Sequence, residues 1–463
     1  MSNYNPSSLL QQAFQSLLGN EDLAISSLRS LPAELFPCLF LEAYTHRLWE
    51  TLKALVQNWP FERLPLGPRF KTWFLRILKA VMDGIDILLK QDVSPSRCKL
   101  QVLDLRNTGH KFWSVWTGSF RVDSQRRKLV AEGVSRNEDG VPCLEVCVDL
   151  YLSQKPADQT FTYLLNWIQE RKGVHLSCKK VTVYSLPSKM TFLHAMPLCG
   201  IQEVEVHCLA ILRMFSQLLG KMKSLRRLSL DITVPNAVTP EEEEKRAQSV
   251  NQFASVFLHL RHLQELYLES PSFLQGHLDQ VFRFLNTPLE VFSLTNCTLT
   301  ERDLIHLFQS PHITHLKDLC LRGVPLTSVS EPLRALLEIN AATLQRLDLG
   351  LCGLQDPQLE ALLPALSSCS QLSSLSLHGN RLSMDTLEKL LCCTSGLQHL
   401  CLQLFPAPLE TFTPQGALHP GAFNLICTQI SKILRDLGHP RSIMLSTGHC
   451  KYCAKKVFRN WEP

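Results

Sequence analysis

The sequence contains none of the compact motifs that mark common enzyme classes. No G-x-S-x-G string, no H-E-x-x-H string and no glycine-rich phosphate loop occurs in its 463 residues. These absences argue against an α/β-hydrolase, a zinc peptidase of the H-E-x-x-H type and a P-loop nucleotide-binding enzyme. We therefore expect a non-catalytic protein, and no cofactor is implied.

Long apolar runs and strong net charge are also missing. No stretch reaches about 18 uninterrupted apolar residues, the length that a membrane-spanning helix needs. The polar N-terminus predicts no secretory signal. The chain has 47 basic and 42 acidic residues, a net charge of +5, and its basic residues form no long block. We therefore expect neither membrane insertion nor direct nucleic-acid binding.

Leucines recur in a repeated pattern that organises most of the chain. The template L-x-x-L-x-L-x-x-(N/C)-x-L fits segments that start at Leu289, Leu344 and Leu372, and a fourth copy starts at Leu316 with Val324 in the Asn or Cys position. Partial matches start at Leu100, Cys178, Ile201, Leu225, Leu263 and Leu397. From Leu263 onward the starts advance by 26, 27, 28, 28 and 25 residues. A period of this length accommodates one strand and one helix per copy.

Each copy predicts a short strand followed by a helix. The alternating leucines point inward from the strand, whereas leucines spaced by three and four residues indicate amphipathic helices. Such helices are expected at Glu331 to Asn340, Gln358 to Leu366 and Met384 to Leu391. The Asn or Cys, for example Cys297 or Cys352, is expected to satisfy backbone groups where the chain leaves the strand. The sequence therefore predicts an α/β leucine-rich-repeat solenoid, a horseshoe, over residues 178–430.

The flanking segments lack this regular pattern. Residues 1–99 have helical apolar spacing at Ser8 to Leu18 and at Trp49 to Trp59, which predicts a helical N-terminal cap. Residues 100–177 hold a first strand, a polar insertion at 121–140 and the entry to the array, and residues 431–463 form a C-terminal cap and tail. The acidic stretch from 235 to 248 is interpreted as an exposed loop, with a partner-contacting lobe as the alternative.

Cysteine usage favours reduced thiols. Seventeen cysteines occur in a chain for which no secretory signal is predicted. His449, Cys450 and Cys453 form an H-C-x-x-C cluster, but a structural zinc ion needs four ligands and no second C-x-x-C pairs with this one. Cys392 and Cys393 are the other candidate thiolates. We expect no metal site, and a zinc site at this cluster is the alternative.

Three L-x-x-L-L strings lie in the predicted helices of the repeats, at 333–337, 359–363 and 387–391. Such a string on an exposed helix docks in the groove of a nuclear receptor. Here the leucines occupy positions that the repeat needs for its core. We therefore interpret all three strings as core residues.

The residues between the inward leucines of each strand face the opposite, open side. The candidates for contact with a target protein are Glu265, Tyr267, Ser293, Cys320, Asp348 and Ser376. These side chains are acidic, aromatic and small polar in turn. They therefore indicate a binding surface without defining the chemical class of its target.

Two short patterns precede the repeats. Leu9, Ala13 and Leu17 have the helical spacing of the elongin-BC box, L-x-x-x-(C/A/S)-x-x-x-apolar, with Ala13 where many boxes have cysteine. Downstream, the pattern formed by Leu31, Pro32, Leu35 and Leu39 resembles the cullin-2 box. The same segment also fits the L-P-x-E-L opening of an F-box helix, which engages the cullin-1 adaptor. Ordinary amphipathic helix packing explains either pattern taken alone.

Longer strings resemble one known family. The segments LPAELFPCLF at 31–40, KLQVLDLRNTGHKFWSVWTG at 99–118 and LDQVFRFLNTPLEVFSLTNCTLTERDLIHLFQS at 278–310 are similar to the PRAME family, the preferentially expressed antigen of melanoma and its relatives. The resemblance covers essentially the whole chain. It implies a leucine-rich-repeat fold similar to ribonuclease inhibitor.

The resemblance also implies a function. It suggests the substrate receptor of a cullin-2 RING ubiquitin ligase, with elongin B, elongin C, cullin-2 and its RING subunit as partners and a cytoplasmic and nuclear location. Carried over, the elongin contact falls on Leu9, Ala13 and Leu17, and the cullin contact falls on the segment from Leu31 to Leu39. The alternative is an interaction scaffold or transcriptional repressor that recruits no ligase.

Overall fold

The computed structural model describes residues 9–66, 74–90, 97–106, 144–152, 159–185, 198–207, 218–231, 250–251, 253–271, 274–297, 299–438, 443–449 and 456–461. The chain forms two compact units. The first comprises Met1–Lys180 and Lys189–Pro197, and the second comprises Val181–Ser188 and Leu198–Pro463. The predicted polar insertion, the acidic stretch and Cys450 and Cys453 of the H-C-x-x-C cluster lie outside the described residues.

The first unit contains helices packed around a tryptophan. The helices are α1 (Leu9–Leu18), α2 (Glu21–Ser27), α3 (Phe36–Thr45), α4 (Trp49–Gln57), α5 (Phe74–Leu89) and α6 (Gln159–Gln169). The fully buried Trp59 makes edge-on contacts with Phe36 and Phe40, at ring-centroid distances of 6.4 and 5.6 Å. A Cβ atom on Gly84 of α5 would lie 2.8 Å from the carbonyl oxygen of Lys53, so this glycine permits the close approach of α5 to α4.

Four strands among the described residues complete the first unit. They are β1 (Arg63–Pro65), β2 (Val102–Asp104), β3 (Leu144–Leu152) and β4 (Val174–Val183), whose last residues belong to the second unit. Strands β1, β2 and β3 pair in parallel in chain order. Leu64 pairs with Leu103, which pairs with Val146, and all three are fully buried. The isolated upstream copy of the leucine pattern therefore forms a strand, with Leu103 facing inward.

The second unit repeats the strand and helix pattern. Its strands are β5 (Glu203–Val206), β6 (Arg227–Asp231), β7 (Glu265–Glu269), β8 (Val291–Thr295), β9 (Asp318–Cys320), β10 (Arg346–Asp348), β11 (Ser374–Ser376), β12 (Leu402–Pro406), β13 (Ile443–His449) and β14 (Lys456–Trp461). The helices are α7 (Leu278–Arg283), α8 (Glu301–Phe308), α9 (Ser330–Ile339), α10 (Asp356–Ser368), α11 (Met384–Thr394) and α12 (Pro420–Asp436). Strands β5 to β13 pair in parallel in chain order, and β14 pairs antiparallel with β13.

The pattern leucines form continuous buried rows across these strands. One row, at most 1% exposed, consists of Leu228, Leu266, Phe292, Leu319, Leu347 and Leu375. The predicted helices appear as α9, α10 and α11, and their leucines are buried as well. Each strand and each helix thus buries its apolar face against the neighbouring copies of the repeat. The prediction of an α/β leucine-rich-repeat fold is confirmed.

Asparagine and cysteine act at the strand exits as predicted. The Asn380 amide oxygen accepts hydrogen bonds from the backbone N–H groups of Cys352 (3.1 Å) and Leu354 (3.0 Å), and its nitrogen donates to the carbonyls of Leu349 and Leu377, both at 2.8 Å. In the preceding copy the Cys352 thiol donates to the Leu321 carbonyl at 3.0 Å. One side chain thereby satisfies backbone groups of two successive copies.

The predicted frame of the last copy is wrong. Strand β12 pairs Leu402 with Ser374 and Gln403 with Leu375. Leu402 therefore faces outward and is 47% exposed, whereas Gln403 occupies an inward leucine position and is 1% exposed. Leu400, not Leu397, is the first leucine of this copy. Pairing with β11 makes Gln403 the inward residue, and the template places the first leucine three positions before it. The final spacing in the array is then 28 residues, like the two before it.

Two further predictions from the sequence are that the chain has no membrane-spanning helix and no metal site. Across the described part of the chain, no helix is both long and apolar enough to cross a bilayer. Within the same residues, no group of three or more His, Cys, Asp and Glu side chains is arranged to hold a metal ion. Cys392 and Cys393 are free thiols, exposed and half-buried respectively.

Candidate protein-interaction surfaces

Helix α1 turns the elongin-box pattern toward solvent. Phe14 and Leu18 are 4% and 6% exposed and anchor the helix in the first unit. Leu9 is 85% exposed, Ala13 is also exposed and Leu17 is half-buried. Because residues four positions apart share one face of a helix, these three form a strip beside the buried face. The strip is therefore available to a partner while Phe14 and Leu18 hold the helix in place.

Anchored neighbours support this strip. Leu23 of α2 adds a second apolar side chain that is 55% exposed. The Asn20 side chain caps α2 by accepting from the Leu23 N–H at 3.1 Å. The Glu21 carboxylate accepts from both the N–H and the hydroxyl of Thr51, each at 3.0 Å, and so ties α2 to the start of α4. The exposed leucines consequently lie on a preorganised pair of helices.

The cullin-box pattern lies partly at the surface. Pro32 is exposed, Leu31 and Leu35 are half-buried, and Leu39 is fully buried within α3. Leu39 therefore contributes packing, because its side chain offers no surface to a partner. The guanidinium of Arg97 donates to the carbonyls of Leu28, Arg29 and Leu31, which fixes the backbone just before Pro32.

The L-x-x-L-L strings are core residues, as interpreted from the sequence. Their leucines are at most 7% exposed: Leu333, Leu336, Leu337, Leu359, Leu362, Leu363, Leu387, Leu390 and Leu391. A receptor groove binds such leucines from outside the helix. These strings are therefore unavailable without unfolding the repeats that contain them.

The open strand face is defined here as the side of β5 to β13 opposite the buried leucine rows. Five of the predicted target-contacting residues form one register row across it: Tyr267, Ser293, Cys320, Asp348 and Ser376. Glu265 lies on the same strand and face as Tyr267. All six side chains are half-buried. The structure therefore brings together the candidates that the alternation of the repeat selects.

Tyr267 is held between two charged groups. Its hydroxyl donates to the Glu265 carboxylate at 3.0 Å, and the Arg227 guanidinium lies 4.3 Å from its ring centroid. Arg227 also pairs with Glu265 at 3.6 Å. Burial, together with the nearby Glu265 carboxylate, raises the pKa of Tyr267 to about 12. At neutral pH the phenol therefore stays protonated and donates its hydrogen bond to Glu265.

Ion pairs across the strands were not predicted from the sequence. Arg346 donates two hydrogen bonds to the Asp318 carboxylate, at 2.6 and 2.8 Å, from β10 to β9. Arg227 and Glu265 form the equivalent pair between β6 and β7. The sequence does contain a signal for these pairs, because the first outward residues of neighbouring strands carry opposite charges. This signal can be used only when the register between the strands is known.

A buried histidine follows strand β11 of the open strand face. His378 is 4% exposed, and its Nδ1 atom lies 2.9 Å from the Ser376 hydroxyl. A Cβ atom on Gly350 would lie 2.3 Å from the His378 ring, so this glycine provides the space for the imidazole. Burial raises the pKa of Cys352 to about 12, which favours the protonated thiol at neutral pH.

Known proteins match this chain over its whole length. The sequence fits the PRAME N-terminal domain over residues 6–113 and the PRAME C-terminal domain over residues 144–463. It is 46% identical to human PRAME family member 12, covering 100% of this chain and 97% of that protein, and 44% identical to human PRAME family member 7, with 99% and 98% covered. A Listeria monocytogenes internalin structure aligns at 15% identity with a TM-score of 0.33, covering 78% of this chain and 83% of that chain. The chain belongs to the PRAME family.

Proposed function

We propose that this protein is the substrate receptor of a cullin-2 RING ubiquitin ligase. The strip of Leu9, Ala13 and Leu17 on α1 binds elongin C in its complex with elongin B. The segment from Leu31 to Leu35 contacts cullin-2, and the open strand face binds the protein that is ubiquitinated. Catalysis resides in the partners, and the receptor acts in the cytoplasm and nucleus.

The exposure of Leu9 carries this proposal. A leucine with 85% of its surface in water contributes little to the core of its own chain. Ala13, one turn further along α1, has a small side chain that allows a partner helix to approach closely. The leucine-rich-repeat fold and the family membership support a role in binding proteins.

The first experiment measures binding of the purified elongin B–C complex to the full-length protein by calorimetry. We expect the wild type to bind and Leu9→Arg to bind at least tenfold more weakly, because a charge buried without a partner costs several kcal/mol. Gln15→Arg is the matched control, since Gln15 is exposed on another side of the same helix. The proposal fails if the wild type does not bind or if Leu9→Arg binds as tightly as Gln15→Arg.

The second experiment identifies the cullin. The wild-type complex with elongin B–C is mixed with cullin-2 and, separately, the wild-type chain is mixed with the cullin-1 adaptor. We expect binding of cullin-2, weakened by Pro32→Ala because Pro32 is exposed within the segment. Capture of the cullin-1 adaptor instead would indicate the F-box alternative. Capture of neither, together with no elongin binding, would leave a scaffold or repressor that recruits no ligase.

A further inference from the structure

The open strand face differs in charge from the chain as a whole. On β5 to β10 and at the residues that directly follow them, seven carboxylates face this side: Glu203, Glu205, Asp231, Glu265, Glu269, Asp318 and Asp348. Three guanidinium groups accompany them, those of Arg227, Arg322 and Arg346. The face is therefore acidic, although the chain has a net charge of +5.

Several of these carboxylates have no ion pair within the part of the chain that the structure describes. Glu265 and Asp318 pair with Arg227 and Arg346. Among the described residues, Glu203, Glu269 and Asp348 have no ion pair. An excess of negative charge on a surface attracts a positively charged partner and selects against a partner of the same sign.

The end of the same face has no charged side chain among its described residues. The outward residues of β11 are Ser374 and Ser376, followed by His378. On β12, Leu402 is 47% exposed and Leu404 is half-buried, and Leu404 pairs with Met444 of β13, which is also half-buried. Leu402, Leu404 and Met444 form the apolar end of the open strand face. Apolar side chains on such a surface gain free energy when a partner covers them.

We propose that the open strand face binds a protein segment with a cluster of lysine and arginine residues followed, at a fixed distance, by apolar residues. The basic cluster lies over β5 to β10, and the apolar residues lie on the apolar end. This inference rests on the proposed use of this face for target binding, and it defines the class of target.

The spacing of the strands sets the distance between the two parts of the ligand. Five strand steps separate β7 from β12, and strands in a sheet lie about 4.8 Å apart, so the two centres are about 24 Å apart. An extended chain advances about 3.3 Å per residue and spans this distance with about seven residues. Tyr267 adds a phenol edge and a hydroxyl beside the basic cluster.

The test uses the full-length protein and labelled synthetic peptides in a fluorescence anisotropy titration. The first peptide has four Lys and Arg residues, a Gly/Ser spacer of about four residues and a Leu-Phe-Leu end, so that its two centres are about seven residues apart. A second peptide replaces the basic residues with Glu, and a third replaces the apolar residues with Ser. We expect the first peptide to bind at least tenfold more tightly than either other peptide, with an affinity that falls as salt is added.

Matched variants separate the face from the net charge. We expect Glu203→Lys with Glu269→Lys to weaken binding of the first peptide at least tenfold. The control, Glu388→Lys with Asp436→Lys, changes the net charge equally at exposed positions on α11 and α12 and should change the affinity less than twofold. For the apolar end, Leu402→Asp should weaken binding at least fivefold, whereas Leu425→Asp, at a 69% exposed position on α12, should not.

Equal effects of the two charge-reversal pairs, or equal affinity for the basic and acidic peptides, would overturn the inference. Its failure is distinguishable from failure of the ligase proposal. Elongin binding sensitive to Leu9→Arg, without peptide selectivity, would leave the receptor function and remove the basic target class. Peptide selectivity without elongin binding would leave a binder of basic segments that recruits no ligase.

Discussion

Helices α9 and α1 are both amphipathic, but their leucines differ in exposure. In α9, Leu333, Leu336 and Leu337 are at most 1% exposed. In α1, Leu9 is 85% exposed and Leu10 is 43% exposed, although Phe14 and Leu18 are buried. The comparison shows that the spacing of leucines predicts a helix, whereas the packing of neighbouring elements determines which of those leucines are buried.

The packing of the two helices explains the difference. Helix α9 packs between α8 and α10, and its Leu333, Leu336 and Leu337 are buried. Helix α1 packs against α2 and α3 through Phe14 and Leu18. Leucines in the repeats therefore stabilise the fold, and the leucine that α1 leaves in water is free to contribute to binding.

The largest effect is expected for a leucine in the middle of a buried row. Leu347 is 1% exposed and pairs with Leu319 and Leu375, so Leu347→Ala should lower the free energy of unfolding by about 2 to 5 kcal/mol in urea denaturation. Arg346→Ala is the control in the same strand, and loss of its exposed ion pair should cost less than about 1 kcal/mol. Similar losses from both variants would contradict the role given to the rows.

Asn380→Ala is expected to cause the second-largest loss of stability. The substitution removes four hydrogen bonds to buried backbone groups, and we expect a loss of about 2 to 4 kcal/mol. Hydrogen exchange measured by mass spectrometry should show faster exchange at the amides of Cys352 and Leu354. Unchanged exchange at these two amides would show that other groups satisfy them.

Gln403→Leu should stabilise the protein. Gln403 interrupts the leucine row, and within the described residues its buried Nε2 atom has no hydrogen-bond partner. Replacing it with leucine removes an unsatisfied polar group and restores the row, for an expected gain of about 1 to 2 kcal/mol in urea denaturation. Leu402→Gln, at the neighbouring outward position, should change stability by less than about 0.5 kcal/mol. A loss of stability in Gln403→Leu would mean that this position requires the amide.

The repeats could be predicted because two constraints coincide in them. Alternation over two residues assigns Leu347 and Leu349 to one side of a strand, and the recurrence of this pattern every 26 to 28 residues indicates that the strands stack. The same alternation placed Tyr267, Asp348 and Ser376 on the open strand face. Strand pairing confirmed this common register row.

The missed features depend on neighbours in space. Leu397, Leu400 and Leu402 fit the template better than the true frame does, and only pairing with β11 shows that Gln403 faces inward. The ion pair of Arg346 with Asp318 likewise requires the register between β9 and β10. Amphipathic spacing in α1 could not show that Leu9 is exposed while Phe14 is buried, because that choice depends on where α2 and α3 pack.

The most direct test compares Leu9→Ala and Leu336→Ala in parallel urea denaturation and elongin B–C calorimetry. Leu336→Ala should lower the free energy of unfolding by about 2 to 5 kcal/mol, because the side chain is 1% exposed. Leu9→Ala should change it by less than about 0.5 kcal/mol and should weaken elongin binding. A loss of stability from Leu9→Ala comparable to that from Leu336→Ala, with elongin binding unchanged, would contradict the division between core and binding leucines.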